Sequence, residues 1–285
     1  MKKLLLTLLF LTSTLLASDE LNIDNLFKKQ IGLRSITSFS LLSTGNANTY
    51  SLYPNISIGG DTTLWDDTKQ LSLNQAFIYT LMPKFDILVS GSGSYTRKEY
   101  TNVFTSRYSS QNNWQFNSLW LGFIYTGKSI ADFIPQITFQ TAIIQRESSA
   151  TEDKKSFYLK SQSLQATLRG YSDPVVYSIY SGLGYNAKRE FKIGKIDYGH
   201  SLYIGGDLSI ILSPKITLDL GAEQRFQTKQ KINGNQTSNI RSIPTFSVGS
   251  TYSLNATTAI SVNANFGGSS AAPDAIFGLT LWKKF

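Results

Sequence analysis

Residues of this chain alternate between apolar and polar with a period of two over most of its length. Leu71, Leu73, Phe77, Tyr79 and Leu81 alternate with Ser72, Asn74, Ala76 and Thr80. Leu119, Leu121, Phe123 and Tyr125 form a second apolar row. Ile216, Leu218, Leu220 and Ala222 alternate with Thr217, Asp219, Gly221 and Glu223, and Ile260, Val262, Ala264 and Phe266 with Ser261, Asn263 and Asn265. Side chains of a strand point to opposite faces in turn, so this pattern predicts strands with one greasy and one hydrated face; a helical period fits none of these segments.

The breaks between these segments constrain the fold further. Short turns are expected at Met82-Pro83-Lys84, Gly127-Lys128-Ser129, Ser172-Asp173, Ser213-Pro214 and Leu254-Asn255-Ala256. Longer polar connections are expected near 59–69, 98–112, 146–155, 188–196, 230–238 and 268–273. Short and long alternate throughout. A transmembrane barrel predicts that order, with tight turns at one mouth and loops at the other, whereas a soluble sandwich gives no reason for it. The fold class is therefore all-β, an antiparallel up-and-down transmembrane barrel. Twelve strands are expected, from 50–59 to 275–285, so that the barrel covers 50–285 and 19–49 forms an N-terminal segment. A thirteenth candidate, Gln30 to Leu41, breaks the even count. It is either the first half of one long strand bent near Gly45 or a segment tucked into the lumen. Pro135 and Pro244 fall inside expected strands, where a closed sheet has no free edge to absorb a missing donor. Pro135 is near a strand start, but Pro244 calls for a bulge.

The first eighteen residues read as a secretory signal peptide. Lys2 and Lys3 precede an apolar run from Leu4 to Leu16, and Leu16-Ala17-Ser18 supplies small residues for cleavage. Of 27 basic and 19 acidic residues, none form a cluster suited to nucleic acid, and the absence of cysteine excludes disulfides and thiolate metal sites. No cofactor and no metal site is expected. The partners expected are outer-membrane lipid and a small solute, with the chain acting as a monomer.

Strand parity separates an outer from an inner wall. Tyr79, Tyr125, Tyr171 and Tyr252 each stand near a short turn and are expected to form an aromatic girdle at the periplasmic interface. The inward rows are mostly Ser, Thr, Asn, Gln and Gly, which predicts a wet interior. Among them Asp86, Trp120, Arg169, Tyr180, Tyr203, Asp207, Asp219, Glu223, Arg225 and Arg241 are expected to line a constriction. A three-residue loop from Leu212 to Pro214 would pair Ile211 with Lys215. It would set Asp207 opposite Asp219, Tyr203 opposite Glu223 and Ser201 opposite Arg225. Facing carboxylates repel, and Arg169 or Arg241 is the expected compensation. Two solvated carboxylates in a wide wet pore are the equal alternative.

The C-terminal run from Ala275 to Phe285 places Phe277, Leu279, Leu281 and Phe285 on one face. It resembles the terminal strand of bacterial outer-membrane proteins, whose last residue is usually Phe and is read by the barrel assembly machinery. Lys283 departs from the aromatic usual at its position. The hairpin Tyr171-Ser172-Asp173-Pro174-Val175 resembles a turn in a transporter-like family linked to aromatic-compound degradation, over a handful of residues only. Small twelve-strand channels for nucleosides or acidic sugars are of similar length. Enzymatic barrels carry a different pattern. Phospholipase and lipid-A deacylase barrels use a His and a Ser two apart on one strand. Here the single His200 is followed directly by Ser201, on the opposite face. Asp197 is three residues from His200, which also disfavours an omptin-type protease. The expectation is a non-enzyme, an outer-membrane channel for passive or substrate-selective diffusion. The alternative is a structural or adhesive barrel acting through its loops.

Overall fold

The computed structural model describes residues 31–44, 64–102, 108–130, 132–149, 152–192, 194–267 and 275–285. All its regular structure is β. The chain runs through β1 (Leu33–Thr44), β2 (Leu64–Met82), β3 (Phe85–Asn102), β4 (Tyr108–Thr126) and β5 (Phe133–Ser149). It continues through β6 (Glu152–Phe157), β7 (Ser161–Ser172), β8 (Val175–Asn186), β9 (Arg189–Phe191), β10 (Gly194–Asp197) and β11 (Ser201–Ser213). It ends with β12 (Ile216–Gln227), β13 (Lys231–Ile232), β14 (Asn235–Gln236), β15 (Arg241–Asn255), β16 (Thr258–Gly267) and β17 (Ala275–Lys284).

The large sheet pairs each wall strand with its neighbours in sequence, and β1 with β17 closes it. β6 and β7 both pair with β5, one above the other, so they are halves of one strand bent at Tyr158–Lys160. Twelve strand positions thus make a closed antiparallel barrel. The remaining β9, β10, β13 and β14 form a separate small sheet beyond the wall.

Two boundaries differ from the sequence reading. The strand that closes the barrel is β1, inside the 19–49 segment, and the expected first strand at 50–59 lies outside the described residues. Of the candidate Gln30 to Leu41, residues 33–41 are therefore wall, not lumen filling, while Gln30 lies outside the described residues. Within the segments expected as long connections near 59–69, 98–112 and 146–155, the described residues 64–69, 98–102, 108–112, 146–149 and 152–155 are strand. β2, β3, β4, β5 and β6 continue their ladders well past the ten or so residues needed to cross the membrane.

The outer wall is apolar. Phe39, Leu73, Phe77, Phe123, Ile204 and Val262 are among the many large hydrophobics left exposed there. In water such a surface would aggregate, whereas in lipid it is the favoured solvent contact. Gln75 interrupts the outer row of β2, and its amide is satisfied locally. It accepts from the Thr37 hydroxyl at 2.6 Å and donates to Ser35 Oγ at 2.8 Å. A polar side chain on the lipid face is tolerated when its bonds are made within the sheet.

The two prolines are accommodated without bulges at their own positions. In an antiparallel strand the N–H and C=O of one residue point to the same neighbour, and successive residues alternate. The Pro135 carbonyl accepts from Gly127 N at 2.8 Å, so its nitrogen also faces β4, whose last pair with β5 is Thr126↔Gln136. Ser253 N donates toward β12 at Lys215 O, 2.8 Å, so alternation turns Pro244 toward β16. The last described pair there is Thr245↔Gly267. Pro135 stands one residue beyond the end of the β4–β5 ladder, and Pro244 one residue beyond the last described β15–β16 pair.

Candidate functional site

The inner wall of β3 and β4 is polar and closely bonded. Asp86 is buried and accepts from Arg34 Nη2 at 2.9 Å. Higher on the same wall Ser92 and Ser118 share a hydroxyl contact of 2.9 Å, and the Trp120 indole donates to Ser118 Oγ at 3.0 Å. Arg34 is a lumen residue the sequence reading missed. Its signal was the shared parity of Arg34, Ile36 and Ser38 in a segment set apart as N-terminal.

The opposite wall carries an aromatic and charged cluster. Arg225 donates to Glu223 Oε1 through Nε at 3.1 Å and Nη2 at 2.9 Å, and its guanidinium lies 5.1 Å from the centre of the Tyr203 ring. The Tyr203 hydroxyl donates to Gln165 Oε1 at 3.1 Å, and Tyr180 donates to Glu223 at 3.4 Å. Both rings lie flat against the wall because the strand beneath each lacks a side chain. A Cβ at Gly182 would meet the Tyr203 ring at 2.3 Å, and one at Gly205 the Tyr180 ring at 2.6 Å. The structure thus brings Tyr180, Tyr203, Glu223 and Arg225 together.

The hairpin between β11 and β12 is set differently from the sequence expectation. Ser213 pairs with Ile216 and Ile211 with Thr217, so the turn is Pro214-Lys215 and Leu212 is a bulge. Ser213 Oγ accepts from the backbone N–H of Lys215 at 3.3 Å and Ile216 at 3.2 Å, which fixes that turn. The register moves by two. Asp207 faces Gly221, Asp219 faces Ser209, Gly205 faces Glu223, Tyr203 faces Arg225 and Ser201 faces Gln227. An even shift keeps every side chain on its face, so the inward assignments stand while the facing carboxylates do not.

Neither aspartate is ion-paired among the described residues. Asp219 accepts from Ser209 at 2.6 Å, Thr251 at 2.7 Å and Thr217 at 3.3 Å. Asp207 accepts from Ser178 at 3.4 Å. Arg169 lies in the same cross-strand row as Asp207 with Ser178 between them, and Arg241 lies farther up, opposite Gln227. The expected arginine bridge is therefore absent; hydroxyl donors solvate these carboxylates instead.

These groups border one cavity of about 660 Å³ in the half of the lumen nearest the short turns, lined by Arg34, Asp86, Arg169, Asp207, Asp219 and Trp282 among others. A smaller cavity of about 110 Å³ continues it between Tyr180 and Glu223. Apolar side chains, Ile36, Ile134 and Val176, share the wall of the larger one.

Three of the four expected girdle tyrosines face outward at the short-turn end. Tyr79 and Tyr252 are exposed, and Tyr125 packs 5.0 Å from Phe85. Tyr171 pairs with Val176, an inward residue, so its parity places it at the mouth of the lumen. The outward aromatic at that point is Tyr177, edge-on to Phe133 at 5.6 Å. At the C-terminus Phe277, Leu279 and Phe285 are exposed on the outer face with Leu281 half-buried in the same row. Trp282 turns inward and donates to Ser261 at 3.1 Å.

The loop end carries a feature the sequence reading took for polar loops. The small sheet turns Phe191, Ile196 and Tyr198 onto Phe157, with Ile232 packed beside them. Beneath this apolar core Arg189 is fully buried. It pairs with Glu147 at 3.2 Å and donates to Gln145 at 3.2 Å, Ser161 at 2.7 Å, Lys160 O at 3.3 Å and Ala187 O. Burial pushes the Glu147 carboxyl above its ordinary value although Arg189 opposes this, and burial likewise raises Tyr198 beside it. The sole histidine, His200, stacks on Tyr185 at 4.8 Å, and its Nδ1 accepts from Asn186 N at 3.3 Å. Among the described residues no group of acidic and histidine side chains is arranged to hold a metal.

Neither a family model nor a curated sequence matches the chain. Its fold does have relatives among solved structures. The COG4313 outer-membrane channel from Pseudomonas putida F1 is 12% identical, with a TM-score of 0.64, over 95% of this chain and 100% of that one. The translocator domain of the autotransporter NalP from Neisseria meningitidis is 11% identical, with a TM-score of 0.57, over 92% and 91%. The β domain of the Bordetella autotransporter BrkA is 9% identical, with a TM-score of 0.50, over 90% and 100%. At such identities the likeness speaks for the fold alone: this chain has the architecture of an outer-membrane β-barrel.

Proposed function

We propose that this protein is an outer-membrane channel through which a small solute diffuses along a narrow polar lumen. The observation that carries the reading is the cavity of about 660 Å³ bordered by Arg34, Asp86, Arg169, Asp207 and Asp219 inside a wall that is apolar outside. Burying this many ionisable groups in a dry core would be prohibitive, whereas a water-filled bore accommodates them. The short turns face the periplasm and the long strand extensions face the exterior. The chain reaches that membrane as an exported monomer, stripped of its first eighteen residues, with Phe277, Leu279, Leu281 and Phe285 read by the assembly machinery. The reading is of a non-enzyme, in keeping with His200, which stacks on Tyr185 and accepts from Asn186 N.

Reconstitution into planar bilayers tests this. The expected outcome is discrete current steps, together with glycerol-driven swelling of proteoliposomes. A barrel that shows heat-modifiable migration on a gel yet passes neither ions nor glycerol would overturn it. The packed sheet at the loop end favours a second reading, a barrel whose exterior platform binds a surface partner, and that result would select it.

A further inference from the structure

The lumen holds an opposite-charge pair that does not close on itself. Arg169 pairs in register with Ser178, and Ser178 with Asp207, so a single strand separates the two. Two strand spacings put their Cα atoms roughly 9–10 Å apart. Both border the 660 Å³ cavity. Arg169 makes no hydrogen bond or ion pair with any described residue, and Asp207 has only the long Ser178 contact of 3.4 Å. The neighbouring charges are engaged elsewhere: Arg34 with Asp86, and Asp219 with three hydroxyls. The surroundings of the open pair are apolar on one side. Ile134 pairs with Arg169, and Val176 precedes Ser178 by two residues on the same face.

We infer that the solute this channel selects is a small zwitterion with an apolar body, of the α-amino-acid class, its carboxylate on Arg169 and its ammonium toward Asp207. The inference rests on the channel reading. A simple anion would gain Arg169 but meet Asp207; a simple amine would gain Asp207 but meet Arg169, with Arg34 adding positive potential near it. A molecule carrying both charges gains from each, and its hydrocarbon part is received by Ile134 and Val176.

The test uses the full mature chain in proteoliposomes at neutral pH, with labelled leucine, 4-methylpentanoate and 3-methylbutylamine, which share one hydrocarbon body. Leucine entry should saturate at a lower concentration than either analogue. Arg169→Gln and Asp207→Asn, each checked for heat-modifiable migration, should each raise the half-saturating concentration for leucine by about tenfold, the worth of one charge-assisted bond. Equal entry of the three solutes, a preference for either singly charged one, or leucine saturation unmoved by both substitutions would overturn the inference. Glycerol uptake by the wild type separates the two levels: uptake without leucine preference sinks this inference alone, and no uptake of any solute sinks the channel as well.

Discussion

Arg189→Met should melt the platform at the loop end while leaving the barrel closed. The guanidinium is fully buried and makes five polar contacts, the pair with Glu147 among them, and Glu147 itself is 1% exposed. Met fills similar space but strands that carboxylate in an apolar pocket under Phe157, Phe191 and Tyr198. Breaking one partner of a buried pair costs about 3–5 kcal/mol, whereas replacing both by apolar groups is close to neutral. That cost corresponds to about two to four powers of ten in the opening equilibrium. Amide hydrogen exchange of β9, β10 and β13 reads it directly. The single substitution should lower protection there by roughly 100-fold or more, with the strands below unchanged. Arg189→Met combined with Glu147→Leu should restore most of it. Wild-type protection in the single variant, or a double variant no better than the single, would refute the view that this ion pair fastens the platform.

Other outcomes follow from the same contacts. Glu147 binds its proton more tightly folded than unfolded, so platform stability is full below the ordinary carboxyl range and declines as pH rises from there through the raised value; Glu147→Gln should flatten the pH profile of corrected exchange rates. Gly182→Ala places a Cβ 2.3 Å from the Tyr203 ring and 2.8 Å from Leu164 O, which must push the ring into the bore and lower single-channel conductance. Asp207→Asn with Asp219→Asn removes two negative charges from the larger cavity, and the reversal potential under a salt gradient should shift toward anions. Arg34→Met removes the cation paired with buried Asp86 near the short turns, and the unfolding transition on heated gels should fall by several degrees.

The wall was legible because its solvent changes every second residue. Turns at Pro83-Lys84 and Asp173-Pro174 fall where the alternation breaks, and Asp86, Trp120, Tyr203 and Glu223 turn inward as parity predicts. β1 was harder. Its inner row, Ser38 and Ser40 beside Ile36, contrasts weakly with an outer row that itself contains Ser35 and Thr37. The β11–β12 register hid in a bulge at Leu212 beside a turn that the Ser213 hydroxyl stabilises. Tyr171 shows what happens when position near a turn is trusted over parity, since Arg169 two residues before it was already assigned inward. The platform strands, two to four residues each, are too short for any period to register. Their apolar members Phe191, Ile196 and Ile232 are separated by lysines that face water, and only packing on Phe157 reveals their purpose.

Pro135 does more than avoid harm by standing just past its ladder. Sliding β5 along β4 by two residues preserves the greasy and hydrated faces, so side-chain pattern alone cannot forbid it. Such a slide, in the direction that lengthens the β4–β5 contact, would carry the proline into a row that demands a donor, with no water in the hydrocarbon layer to make good the loss. The imino ring therefore acts as an end stop, blocking slippage in that one direction as the cylinder zips shut.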